Sequence, residues 1–161
     1  MIIALENTLN AEACDYLINI FNSNKNLHET HAQSKLLRCA DILNKEQKEY
    51  TYKFSRYVHN LVTLHTGYLL YPDNVQIVYK PPQSEQKSHK DFITSKFTSI
   101  TFLNSLDTGN TFFDGFGSIK PQAGRTLIFN GGEMYHGSEI TTEDRYTFIS
   151  WYSEDPNRLE I

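Results

Sequence analysis

A mainly β chain with helices packed at its N-terminal end is predicted by three observations. Helical periodicity is confined to the residues before about Gly67. Short apolar segments, bounded by Gly, Pro, Asn and Asp, follow at near-regular spacing, the pattern of a sandwich or barrel. Aromatic residues make up 13% of the chain, a content that suits pleated, half-buried surfaces.

Asn10 is a good N-cap for the first helix, where Ala13, Leu17, Ile20 and Phe21 recur at helical spacing. The polar run Asn22 to Asn26 ends it. Residues 27–43 are ambiguous: Lys35 to Cys39 reads as a short strand and Asn26 to His31 as a polar loop. A second helix is predicted after Asn44, with Phe54, Tyr57, Val58, Leu61 and Val62 on one stripe and Gly67 as its C′ residue. Strands are then expected at Val75 to Tyr79, Ser95 to Leu103, Thr111 to Phe113, Ser118 to Lys120, Thr126 to Phe129, Met134 to Ser138 and Tyr146 to Tyr152. With 161 residues, no repeat and no long linker, one domain is expected over 1–161. It is helical to about residue 67, with a β core from about 74 to 154.

The bulk numbers exclude some partners. A net charge of −4 and a pI near 5.8 lack the basic excess of a general nucleic-acid binder. Lys80, Lys87, Lys90 and Lys96 cluster in sequence and read as solvated loop lysines. No apolar run approaches a membrane span, and Met1 to Glu6 lacks the features of a signal peptide. Cys14 and Cys39 belong to no ligand-like cluster. They read as small buried hydrophobes in a reduced, cytoplasmic protein.

The chemistry-bearing segment is Ser88-His89-Lys90-Asp91. Residues two apart in an extended segment share a face, so His89 and Asp91 can reach one ion. A distal histidine completes a 2-His-1-carboxylate facial triad, which suits Fe(II) and leaves three positions open. His136 supplies it, followed by Arg145 at the head of an aromatic strand. There Arg145, Thr147, Ile149 and Trp151 share one face, opposite Tyr146, Phe148 and Tyr152. A buried guanidinium needs an anionic partner. A dicarboxylate whose keto-acid end chelates the metal provides one, and Asp144 or Glu143 is the structural alternative. Tyr79 reads equally well as a core aromatic. His28 and His31 are three apart but lack a carboxylate or thiol partner at ligand spacing, and His59 and His65 read as helix-face residues.

These motifs, in this order, resemble the prolyl 4-hydroxylase-like branch of the 2-oxoglutarate/Fe(II) oxygenases. The matching pieces are Val78-Tyr79, His89 and Asp91, Ile100 to Asn104, Gly109 to Phe113, Ile119 to Pro121, Gly124 to Phe129, and His136 with Arg145 and Trp151; Leu9 to Phe21 resembles that family's first helix. The resemblance implies a double-stranded β-helix (a cupin-like jelly roll), with Fe(II), 2-oxoglutarate and O₂ as reactants and ascorbate as an optional reductant. His89, Asp91 and His136 would bind iron. Arg145 would bind the far carboxylate of 2-oxoglutarate, Tyr79 would hydrogen-bond the co-substrate, and Trp151 would wall the pocket. A further contact would come from Thr101 or from Phe102, whichever points inward. The presence of Asp91 favours hydroxylation over halogenation. The implied substrate is a prolyl residue in a peptide or protein, with a free amino acid or other small molecule second. A jelly-roll binding module that keeps its ligands without catalysis is the competing class. The loop Pro81 to Ser88 and the turn Gly109-Asn110-Thr111 depart from the family pattern, which leaves substrate identity open.

Overall fold

The computed structural model describes residues 1–158. Helix α1 spans Ala11–Ser23, and Asn10 caps it by accepting the Ala13 N–H at 2.8 Å. Helix α2 spans Lys45–Thr66. Asn44 caps its start through the Gln47 N–H at 3.0 Å, and Gly67 ends it in the left-handed region at φ 75°, as the sequence predicts. Its buried stripe is Thr51, Phe54, Ser55, Val58 and Val62; Tyr57 faces outward instead. Among the described residues no helix is long and apolar enough to cross a membrane.

The strands are β1 (Ile2–Leu5), β2 (Glu29–His31), β3 (Ser34–Arg38), β4 (Tyr71–Lys80), β5 (Gln86–His89), β6 (Phe97–Phe102), β7 (Thr111–Phe113), β8 (Gly117–Ile119), β9 (Thr126–Phe129), β10 (His136–Ser138) and β11 (Arg145–Ser153). They form two antiparallel sheets. The larger has the order β1-β9-β6-β11-β4-β3-β2, the smaller β5-β10-β7-β8. This is a jelly roll with its helices against the larger sheet. Three strands differ from expectation, one of them β5, which takes up residues 86–88 of the expected loop and pairs with β10. β1 pairs with β9, and β2, expected as loop, pairs with β3.

The larger sheet is buried on both faces. Toward the helices, Ile77, Leu103, Phe148 and Tyr152 pack with Leu17, Phe21, Phe54 and Val58. Toward the smaller sheet, Ile100, Phe102, Leu127 and Phe129 meet Phe113. Alternation along β4, β6 and β11 therefore assigns each side chain to the helix layer or to the space between the sheets. Cys14 and Cys39 are both buried, as expected.

Candidate metal centre and anion site

β5 and β10 are neighbours in the smaller sheet, and His89 stands opposite His136 in their register. Each imidazole gives Nδ1 to a carbonyl two residues back: Lys87 O at 2.9 Å for His89 and Met134 O at 2.7 Å for His136. That contact fixes the rings with Nε2 pointing into the site, the orienting role typical of ligating histidines. Both Nε2 atoms approach Asp91 Oδ1, at 3.6 and 3.4 Å. The ligand atoms of all three residues lie within 4.8 Å of one another. Two ligands at right angles, each about 2.1 Å from one ion, lie about 3 Å apart, so these separations suit a common ion.

Asp91 is not placed by strand alternation, because β5 ends at His89. Its N–H donates to Gly131 O at 2.9 Å, and Thr98 Oγ1 donates to its Oδ2 at 2.5 Å. A side chain at Gly131 would run into Asp91 Oδ2 and Thr98 Oγ1. Burial pushes the Asp91 pKa up, but hydrogen bonds from His136, His89 and Thr98 outweigh it, so the carboxylate sits well below the usual range. Its hydrogen bond to Asp91 raises the His89 pKa despite partial burial.

Arg145 is 3% exposed. Its Nε donates to Gly109 O at 2.8 Å and its Nη2 to Thr111 Oγ1 at 2.9 Å, while its guanidinium carbon lies 5.4 Å from the Phe102 ring centroid. No carboxylate among the described residues lies within ion-pair distance of it, Asp144 and Glu143 included. Burial lowers its pKa to about 10. The hydroxyls of Ser138 and Thr147, on the same inner faces, are buried without a hydrogen-bond partner. An unpaired buried cation beside orphaned hydroxyls fits the far carboxylate of a dicarboxylate chelator.

Phe102 points inward and Thr101 does not: the Thr101 hydroxyl lies on the helix side, 2.7 Å from Thr126 Oγ1. Tyr79 also faces the helices, against Phe21 and Tyr146, and donates to Asp144 Oδ1 at 2.8 Å. It lines a recess of about 440 Å³ on the far side of the sheet from the triad. Both therefore lie outside the space assigned to a co-substrate, because odd positions of β4 and β6 project toward the helix layer. Trp151 is half-buried and stands next to Thr98 across the β6–β11 register, at the end of β11 away from Arg145. Sequence reasoning missed Thr98, Gly131, Thr111 and Ser138 as parts of the site, and it placed Thr147 on the Arg145 face without giving it a role. It also placed Lys80 in solvent, whereas Lys80 is a buried strand residue. The Gly131-Gly132 pair was the one available signal for a close backbone approach.

The same architecture occurs in solved structures of known proteins. A viral collagen prolyl hydroxylase from Paramecium bursaria Chlorella virus-1, solved with 2-oxoglutarate, superposes with a TM-score of 0.76 over 96% of both chains at 15% identity. The chain has the fold of the 2-oxoglutarate/Fe(II) oxygenases. A prolyl hydroxylase from Trichoplax adhaerens, bound to a hypoxia-inducible-factor peptide fragment, gives a TM-score of 0.77 over 98% of this chain and 85% of that one, at 15% identity. HygX from Streptomyces hygroscopicus, with nickel, 2-oxoglutarate and hygromycin B bound, gives 0.74 over 94% and 82%, at 9% identity. No protein-family model matches the chain, and no curated protein does.

Proposed function

We propose that this chain is an Fe(II)- and 2-oxoglutarate-dependent dioxygenase that hydroxylates a C–H bond, with a prolyl residue of a peptide or protein as substrate. One observation carries the reading. The His89/Asp91/His136 cluster and the carboxylate-free, buried Arg145 converge on the same space between the sheets.

When bound, iron and 2-oxoglutarate supply O₂ activation and the oxidising power for C–H cleavage. The chain's own residues do the rest. His89, Asp91 and His136 would hold the ion, a ligand set that leaves positions free for other reactants. Thr98 and Gly131 hold the Asp91 carboxylate in place. Arg145, itself held by Gly109 and Thr111, would orient the co-substrate through its far carboxylate. Phe102, Phe113 and Phe129 keep water from the inner side.

The rim supports a peptide substrate. Phe92 and Ile93 follow Asp91 directly, Tyr135 precedes His136, and Phe116 sits on the β7–β8 turn tied to Tyr135 through the Asp114 N–H. All four are exposed large hydrophobics, an apolar surface suited to an extended peptide. The bound antibiotic of HygX favours the small-molecule alternative. Incubation with Fe(II), 2-oxoglutarate and ascorbate in air, with proline-rich peptides in one arm and free amino acids in the other, separates them. We expect succinate release and a one-oxygen mass gain on the peptide, both abolished in Asp91→Ala. Metal binding without succinate from any substrate would favour a non-catalytic binding module.

A further inference from the structure

Arg145 has a cationic neighbour. Lys80 stands opposite it in the β4–β11 register and is 5% exposed. Its ammonium donates to Ser34 Oγ at 2.7 Å, and no carboxylate of the described residues reaches it. Two like charges in one dry enclosure repel each other in addition to losing their water. Burial first, and the Arg145 charge second, lower the Lys80 pKa to about 8. A lysine that only filled space would be replaced by Met or Leu with a gain in stability. Lys80 instead keeps an ammonium with three donors, one of them given to Ser34. Thr147, whose hydroxyl has no partner, lies on the same face of β11 two residues from Arg145.

We propose that Lys80 is a second co-substrate-binding residue, which closes the anion site from β4 so that the far carboxylate of 2-oxoglutarate is held between its ammonium and the Arg145 guanidinium. This rests on reading the site as a 2-oxoglutarate site. The arrangement makes affinity depend on the Lys80 charge. The charged or titratable groups on the neighbouring strands include Arg145 on β11, Lys35 and Arg38 on β3, Lys87 and His89 on β5, the His89 pKa registering the Lys80 charge, and on β2 the exposed His31 and the Glu29 paired with Arg38. The one carboxylate on these strands, Glu29, pairs with Arg38, and among the described residues no carboxylate forms an ion pair with Lys80.

Calorimetric titration of 2-oxoglutarate into the Mn(II)-loaded protein tests this without turnover, with oxalate as a chelator that has no far carboxylate. Lys80→Met is expected to weaken 2-oxoglutarate by about tenfold or more, the worth of one charge-assisted hydrogen bond, and to leave oxalate unchanged. The wild-type Kd for 2-oxoglutarate should rise by about tenfold between pH 7 and 9 as the lysine loses its proton, whereas Lys80→Arg, always charged, stays flat. Metal-free Lys80→Met should melt no lower than the wild type. Equal 2-oxoglutarate affinity in Lys80→Met and wild type would overturn the role of Lys80 and leave the co-substrate reading standing. Loss of oxalate binding as well, or a lower melting temperature, would make Lys80 a structural residue and also overturn it. Oxalate binding without any 2-oxoglutarate binding by the wild type would sink both.

Discussion

A β-carbon at position 131 has nowhere to go, since the Asp91 carboxylate and the Thr98 hydroxyl already occupy its space. Gly131 also accepts the Asp91 N–H, so backbone and carboxylate are fixed together. Gly131→Ala must push Asp91 aside or shift the loop. The expected loss in metal affinity is about 10- to 100-fold, the usual effect of disturbing a partner that orients a ligand. A competitive chelator titration measures it, with circular dichroism to verify the fold; unchanged affinity would show that Asp91 is not a ligand. The His-x-Asp pair was legible in the sequence, but this support was not. Alternation explains how two side chains share a face, whereas Asp91 is held by a loop from between β9 and β10, some forty residues later in the chain.

Helix ends were legible because capping is local. Asn10 and Asn44 each accept an N–H three residues on, a contact written entirely within one turn. Asn44→Ala should therefore cost about 1 kcal/mol, read as a lower urea midpoint at unchanged m-value, with no change in metal affinity. A loss in metal affinity of equal size would tie α2 to the site more closely than the packing shows. The strands divide by the same logic. β11 mixes polar and aromatic positions, so the inward set Arg145, Thr147, Ile149 and Trp151 could be read directly. All six residues of β6 are buried, between the helix layer on one side and the smaller sheet on the other. With no alternation between exposed and covered, the sequence left Thr101 and Phe102 open, and the same two-sided burial misled the assignment of Tyr79. β1 and β2 have only 4 and 3 residues and exist through their partners β9 and β3, which no local pattern announces.

At the scale of the molecule, the triad joins the two sheets. His89 and His136 belong to the smaller sheet, whose strands have only 3 or 4 residues each. Asp91 is bonded to Thr98 of the larger sheet. An ion held by all three pins a lightly built sheet onto a thick one, and its binding energy adds to stability because the unfolded chain offers no such site. At metal a hundredfold above its Kd the gain is about 2.7 kcal/mol, which corresponds to a rise in melting temperature of roughly 5 to 11 °C for a chain of this size. Adding Fe(II) anaerobically, or Mn(II) in air, to chelator-stripped protein should give that rise. Amide exchange should slow most in β5 and β10, and Asp91→Ala should abolish both effects. If the site takes 2-oxoglutarate as proposed, the co-substrate should add a further increment only when metal is present, because its keto-acid end would bind the ion. A metal shift of equal size in Asp91→Ala would place the ion elsewhere, and a full 2-oxoglutarate shift without metal would separate the anion site from the metal centre.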